Sequence, residues 1–315
     1  MSLNIYILTY NRAKYLKEAI RSVLSQSYIE FELYILDNCS SDDTYDVVNS
    51  FYDIRLHYIR HKQNIGGIAN LQYAIKHCTA DYFVVFHDDD IMLPNFIKDE
   101  IRVMESNSHI AVVSGNAVLI DKNSKDGKLA FLTPCNDTMY YAYDTYLNYL
   151  KHGRTLIFPS LMYRNSFIKK NNISLKEFIG PCLDVIFYFD IAKYGGVIYE
   201  ISHAVMKYRQ HIYQDSRLNM DTMHLQLYEY LKSDVYYASL FHKYKKNIYK
   251  KHIHRIIVLF LRGEEKQSKR LYYAYSECIM NKKQCVWNLY YEIIIRFPNF
   301  FRRLYKLYKI LKREK

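Results

Sequence analysis

Short apolar runs separated by amphipathic segments fill the first 120 residues. Leu3–Thr9 reads as a buried strand, and Ala13–Ser25 as a helix with Tyr15, Leu16, Ala19, Ile20, Val23 and Leu24 on one side. Phe31–Asp37 follows as a second strand, and Asp42–Phe51 as a helix with Ser40 and Ser41 as capping candidates. A third strand over Arg55–Arg60, a helix over Ile68–His77 and a fourth strand over Tyr82–Phe86 continue the alternation. Pro94–Glu105 then reads as a helix with proline in its first turn, and Ile110–Ile120 as a longer strand. This order predicts an α/β fold built on a doubly wound, mostly parallel sheet.

Residues 121–180 are less regular, with one strand expected over Leu156–Tyr163 and loops suited to setting specificity. Leu183–Lys193 reads as a helix, ended by Gly195-Gly196 before a strand over Val197–Ile201. From 221 onward the pattern is helical, rich in Tyr and Lys and poor in Gly and Pro, which puts a domain boundary near 215–225.

Charge sharpens that division. The formal net charge is +12, but residues 1–220 hold 23 Lys+Arg against 24 Asp+Glu, and residues 221–315 hold 21 against 8. A neutral body therefore carries a basic C-terminal region. Six cysteines at 39, 78, 135, 182, 278 and 285 include no CxxC pair, which argues against a zinc cage and fits a reducing compartment. Ile5–Leu8 is too short for a secretory leader, and Ile256–Leu261 is too short for a membrane span. These features predict a cytoplasmic location.

In an open α/β sheet, ligands bind beyond the carboxyl ends of the strands. The polar residues of note fall there in succession: Thr9-Tyr10-Asn11-Arg12, Asp37-Asn38, Asn64-Ile65-Gly66-Gly67 and Asp88-Asp89-Asp90. Three adjacent carboxylates after an apolar strand repel one another unless a cation intervenes. Oxygen donors beside a phosphate suit Mg²⁺ or Mn²⁺. The simpler reading of the triplet alone is a solvated acidic turn.

Taken in order, these segments, with Asp37-Asn38-Cys39-Ser40-Ser41-Asp42 and Asp88-Asp89-Asp90-Ile91-Met92-Leu93-Pro94, resemble family 2 glycosyltransferases of the GT-A fold. The resemblance covers about residues 1–215 and makes 1–220 the nucleotide-sugar-binding catalytic domain. It implies that Thr9, Tyr10, Asn11 and Arg12 line the nucleotide pocket, that Asp37 takes the base, and that Asn64 and Gly66 lie near the nucleoside. Asp88 would contact the ribose, with Asp89 the main metal ligand and Asp90 supporting it. The family's Asp-x-Asp-Asp is replaced here by His87-Asp88-Asp89-Asp90, so His87 stands where an Asp is usual.

Displacing a nucleoside diphosphate requires its charge to be neutralised and a base to take the acceptor's proton. By the resemblance that base is an acid ahead of a helix, here Asp184 in Gly180-Pro181-Cys182-Leu183-Asp184; otherwise it is a helix-dipole partner. Tyr208-Arg209-Gln210-His211 is similar to the family's Arg-x-His segment. His211 then becomes a metal or diphosphate ligand, and Arg209 a support for the loop or a phosphate.

In the C-terminal tail, Phe301, Leu304, Tyr308 and Leu311 recur at helical spacing opposite Arg302, Lys306, Lys309 and Arg313. A basic amphipathic helix of this kind either anchors on an anionic inner leaflet or docks on the catalytic domain. No recognised nucleic-acid module accompanies it. The resemblance implies inverting transfer of a sugar, with a UDP-sugar the expected donor, to a saccharide or lipid-linked acceptor in surface-polysaccharide synthesis. Two other readings stay open, a sugar-phosphate nucleotidyltransferase and a non-catalytic binding protein with a degenerate transferase domain. The first lacks its Gly-rich basic loop after the first strand.

Overall fold

Six of the seven residues of β1 (Leu3–Thr9) are buried, because this strand pairs in parallel on both sides and has no solvent face. Its neighbours are β2 (Glu32–Asp37) and β4 (Tyr82–His87), and β3 (Leu56–Arg60) lies beyond β2. The computed structural model describes residues 1–130, 137–141, 144, 156–176, 183–210, 220–276 and 286–313. Helices α1 (Ala13–Leu24), α2 (Thr44–Asn49) and α3 (Gly67–His77) link the first four strands. A short β5 (Ile91–Met92), α4 (Phe96–Ser106), β6 (Ile110–Ile120), β7 (Asp126–Leu129) and β8 (Thr138–Tyr140) follow. Then come β9 (Leu161–Arg164), α5 (Asn165–Lys170), α6 (Leu183–Lys193) and β10 (Val197–Arg209).

The sheet runs β3-β2-β1-β4-β9-β6-β10-β5, with β7 on β6 and β8 on β10. It is parallel through β3-β2-β1-β4 and along the long β6–β10 ladder, and β9 enters antiparallel between the two halves. By ladder length the sheet is mostly parallel, as the alternation predicts. One face is covered by Leu16, Ile20 and Val23 of α1 and by Phe96, Ile97 and Ile101 of α4, which pack with Ile5, Ile7, Val84 and Phe86. On the other, Phe83 stacks on Tyr163 at 4.9 Å, and Tyr163 meets Phe187 of α6 edge-on at 5.5 Å.

Several boundaries differ from the sequence reading for physical reasons. The strand expected over Leu156–Tyr163 opens with a 3-10 turn at Phe158–Ser160 and is shortened to Leu161–Arg164, since Pro159 has no N–H for a ladder. The strand expected to end at Ile201 runs on to Arg209, with register shifts between Ile201 and Met206. Pro94 precedes α4, where Asn95 is the N-cap residue. Neither Ser40 nor Ser41 caps α2; Asp42 accepts the Thr44 N–H at 3.2 Å and its hydroxyl at 2.6 Å. Gly195 closes α6 at φ +84°, a conformation glycine adopts without a Cβ penalty.

The chain divides into two compact units, Met1–Tyr146 with Arg154–Asn219, and Leu147–Gly153 with Met220–Lys315. The second contains α7 (Met220–Ser233), α8 (Val235–Leu261), α9 (Glu265–Ser276), α10 (Val286–Arg296) and α11 (Pro298–Arg313). Asp234 caps α8 by accepting the Tyr236 N–H at 2.8 Å. Its core uses tyrosine as an apolar body with a polar tip: Tyr228 hydrogen-bonds His252 at 2.9 Å, and His252 stacks on Tyr275 at 4.3 Å. Among the described residues, no helix is long and apolar enough to cross a membrane.

Glu100 of α4 is a costly core position of the first unit. It is fully buried, neither carboxyl oxygen has a hydrogen-bond partner, and burial holds its pKa well above the usual carboxylate value. A raised carboxyl stabilises the fold below its unfolded pKa, and that contribution disappears as pH rises towards the folded value. Glu100→Met keeps the volume and removes the polar burden. It should raise Tm by about 2–6 °C, with a larger gain at pH 8 than at pH 5 in paired thermal melts.

Candidate functional site

Loops at the carboxyl ends of β1, β2 and β3 are tied to one another by side chain to backbone bonds. Asn11 sits at φ +52°, a left-handed conformation that asparagine tolerates better than most residues. Its N–H donates to Ser40 Oγ at 2.9 Å and its Oδ1 accepts the Ser41 N–H at 2.8 Å. Asp42 accepts the Ala13 N–H at 3.0 Å, so the second loop also holds the start of α1. Buried Asp37 accepts the Ser40 N–H at 2.9 Å and the Tyr58 hydroxyl at 2.6 Å, with Arg60 Nε at 3.6 Å. Asn38 donates to Asn64 Oδ1 at 2.9 Å and accepts the Ile65 N–H at 2.8 Å. Gly66 follows at φ +85°, with its N–H bonded to Asn64 Oδ1 at 2.8 Å. Thr9 is buried at the end of β1, whereas Tyr10 is exposed.

The acidic triplet follows β4 directly and is taken almost wholly out of water: Asp88, Asp89 and Asp90 are 3%, 5% and 1% exposed. It is not a solvated turn. Arg12, at the N-cap of α1, places Nη1 3.2 Å from Asp88 and 3.1 Å from Asp89. From behind, the Arg209 N–H donates to Asp90 Oδ1 at 2.8 Å, and Arg209 Nε donates to the Asp89 carbonyl at 2.6 Å. The rest of that buried guanidinium reaches Asp121 O at 3.1 Å, Ser124 Oγ at 3.0 Å and Glu18 at 2.6 Å, over the Tyr15 ring. Arg209 therefore supports the acidic loop.

Two positive neighbours do not fully offset the burial. Asp88 is pushed up to about 7 by burial, against the lowering pull of Arg12 and with repulsion from Asp89 added. Asp90 is raised well above the ordinary carboxylate range, by burial first and then by Asp89. Asp90 Oδ2 has no hydrogen-bond partner. The nearest ring nitrogen is His87 Nδ1, 3.6 Å away.

His87, Asp89 and Asp90 each bring one ligand atom within 4.8 Å of the others. That donor set fits a divalent cation, which would satisfy Asp90 Oδ2 and relieve the repulsion. Asp89 and Asp90 are the metal ligands expected from the sequence; Arg12 contacts both Asp88 and Asp89, and Asp88 lies outside the donor group. His87, which the sequence reading treats as a departure, joins the donor group. Its one signal was its position immediately before the acids. His211 lies outside the described residues.

Asp184 occupies the first turn of α6, on a different element. Its Oδ1 accepts the Val185 N–H at 2.8 Å, and burial pushes its carboxyl up to about 6. A helix N-terminus alone would lower that pKa, so desolvation dominates. Its charge in turn helps to raise the buried Tyr163 hydroxyl, after burial itself. Residues 180–182, also expected in this motif, lie outside the described residues.

With this geometry in hand, comparison with known proteins decides the family. The model for glycosyl transferase family 2 matches residues 4–171, more than half of the chain. The chain belongs to glycosyl transferase family 2. An uncharacterized glycosyltransferase of Rickettsia typhi is 31% identical over 167 residues, covering 51% of each chain. One from Haemophilus influenzae is 24% identical over 224 residues, 68% of this chain and 67% of that relative. The chain spans about half or less of the length of the first curated relatives it matches.

Among solved structures, S. aureus TarS 1-349 in complex with UDP-GlcNAc aligns with TM-score 0.68 at 18% identity, over 89% of this chain and 81% of that one. A mannosyltransferase from Pyrobaculum calidifontis in complex with GDP-Man and Mn²⁺ aligns with TM-score 0.54 at 14% identity, over 74% and 64%. These likenesses establish a GT-A type fold for the family 2 chain.

Cation binding at the raised Asp90 carboxyl must displace a proton, so apparent Mn²⁺ affinity should climb with pH. Without metal, the raised Asp88 and Asp90 stabilise the protein at low pH, and that stabilisation is lost as pH rises through their folded pKa values. Thermal melts should therefore show Mn²⁺ increasing Tm by several degrees at pH 8 and by much less at pH 5.5. An increase independent of pH would remove the triplet from the binding site.

Proposed function

We propose that the protein is a metal-dependent, inverting glycosyltransferase using a nucleoside-diphosphate sugar, with UDP-sugar the leading donor. The supporting observation is the cluster of His87 with the buried Asp89 and Asp90 beside three interlocked strand-end loops, an acid-rich setting suited to a cation that in turn meets a diphosphate. Thr9, Tyr10, Asn11 and Arg12 line the nucleotide pocket in this reading. Asp37 takes the base on lone pairs left by Ser40 and Tyr58, and Asn64 and Gly66 flank the nucleoside. Asp88 contacts the ribose.

Asp89 and Asp90, with His87 and a supporting His211, hold the cation, which supplies charge neutralisation at the departing diphosphate. An imidazole in the set favours Mn²⁺ over Mg²⁺, because Mg²⁺ prefers oxygen ligands alone. Asp184 accepts the acceptor hydroxyl's proton as that oxygen bonds to the anomeric carbon. The bond to the diphosphate breaks in the same step, the nucleoside diphosphate leaves with the electron pair, and the anomeric configuration inverts. A carboxyl at about 6 is mostly ionised near neutrality and more basic than an ordinary Asp, as this role requires.

The acceptor is a saccharide or lipid-linked saccharide of a cell-surface polymer, met at the inner face of the cytoplasmic membrane, where the chain is a peripheral protein held by its basic C-terminal region. Residues 1–220 form the catalytic domain and 221–315 the attached helical region.

Asp184→Asn should cut transfer by about 10²–10⁴-fold while leaving UDP affinity within about twofold, read by radiolabelled-sugar transfer and calorimetry. EDTA should abolish transfer by the wild type, and Mn²⁺ should restore it. Transfer that survives EDTA, or an active Asn variant, would overturn the corresponding assignment.

A further inference from the structure

The junction between α10 and α11 is bent but not broken. Phe297 N–H donates to Ile293 O at 3.2 Å and Phe301 N–H to Phe297 O at 3.3 Å, so helical bonding continues past Pro298. Across that junction the steps 289, 293, 297, 300, 304 and 307 advance by four, four, three, four and three residues. They therefore follow one helical face. All six residues are large, apolar and exposed: Leu289 60%, Ile293 38%, Phe297 60%, Phe300 60%, Leu304 47% and Leu307 56%. At the rise of an α-helix this stripe is roughly 27 Å long.

The register differs from the one the tail's sequence suggests. Arg302, expected on the solvent side, is drawn inward: it pairs with Glu265 at 2.6 Å, lies over the Phe260 ring and is only partly exposed. Phe301 is half-buried beside Tyr290. This rotation leaves Phe300 and Leu307 outside with Leu304, and exposed Arg296, Arg303 and Lys306 along the flank. Within Val286–Arg313 the sequence has one acid, Glu292, against seven Lys+Arg.

We infer that this continuous α10–α11 face is a docking surface for an anionic lipid bilayer. The apolar stripe lies in the headgroup–acyl boundary, and the basic flank meets acidic headgroups. A long stripe edged by cations matches the arrangement that binds in the plane of a membrane surface. Each Lys or Arg near such a surface adds to the attraction. A second copy is a poor occupant, because two-fold pairing of this patch would set its cationic flanks against each other. The inference rests on the functional reading above only for the membrane location of the acceptor.

Co-sedimentation of the full chain with lipid vesicles tests it. Wild type should bind phosphatidylcholine vesicles containing about a third phosphatidylglycerol, and bind pure phosphatidylcholine at least about tenfold more weakly. The double variant Phe300→Asp/Leu304→Asp should weaken anionic-vesicle binding at least about tenfold. The surface-charge variant Arg303→Glu/Lys306→Glu, which leaves the stripe intact, should weaken it by a similar factor. Melting temperature and light-scattering mass accompany each variant.

Wild-type binding to neither vesicle, or double-variant binding equal to wild type, overturns the inference. So does a fall in molecular mass for the double variant with vesicle binding unchanged, which would make the face a self-association surface. Transfer to a soluble saccharide acceptor separates the two readings. Transfer without vesicle binding removes this surface alone, and vesicle binding without transfer removes the functional reading alone.

Discussion

Three successive carboxylates held out of water at the end of a buried strand set the terms for the rest of the first unit. Moving one such ion out of water costs several kcal/mol even after relaxation. Asp88, Asp89 and Asp90 therefore need compensation from elsewhere in the chain, and it comes from distant segments. Arg12 arrives from the start of α1, and Arg209 from the end of β10. The first helix and the last strand of the sheet are tied to the same short loop. Neither tie removes the remaining strain, since Asp88 still sits at about 7 and one Asp90 oxygen has no hydrogen bond. A loop held in that state has more to gain from a divalent cation than a solvated one.

The two arginines divide the work by exposure. Arg209 is enclosed, donates to fixed backbone and side-chain acceptors, and lies over Tyr15, so it sets the path of the Asp89-Asp90 backbone. Arg12 keeps 39% of its side chain in solvent and meets Asp88 and Asp89 through Nη1. A partly exposed ion pair is screened and contributes little to stability. Arg12 is the more exposed of the two, whereas Arg209 cannot move without dismantling its surroundings. In this division, rigid support stands behind the acids and adaptable charge stands in front.

The alternation of strands and helices was legible because each element of the first half buries one face with the period of its own geometry. The site's location was legible for a related reason, since polar residues at successive strand ends point to the carboxyl edge of a parallel sheet. Long-range pairings were not. Nothing local in Arg12 marks it as the partner of Asp88, and nothing in Glu100 shows that its helical position faces a core without acceptors. The antiparallel insertion of β9 depends on tertiary pairing that a single short apolar run does not encode. His87 stands where an acid is usual, and only the folded chain shows its ring nitrogen within reach of the Asp89 and Asp90 oxygens. The C-terminal stripe was found in the wrong register, because periodicity alone does not reveal that Glu265 and Phe260 draw Arg302 inward.

Burial raises Asp88, Asp90 and Asp184 alike, but the environments answer it differently. Asp184 has two backbone N–H groups, those of Val185 and of Asp184 itself, and no cationic neighbour among the causes of its shift, and it settles at about 6. It can ionise near neutrality without a ligand. Asp90 lies beside two other carboxyls, so its ionisation is costly until positive charge arrives. Environments that push carboxyl pKa values apart separate their roles, leaving one group to exchange protons and the other to bind a cation. In the proposed assignment Asp184, at about 6, is ionised across neutral pH, and the triplet is the group whose charge a cation would balance.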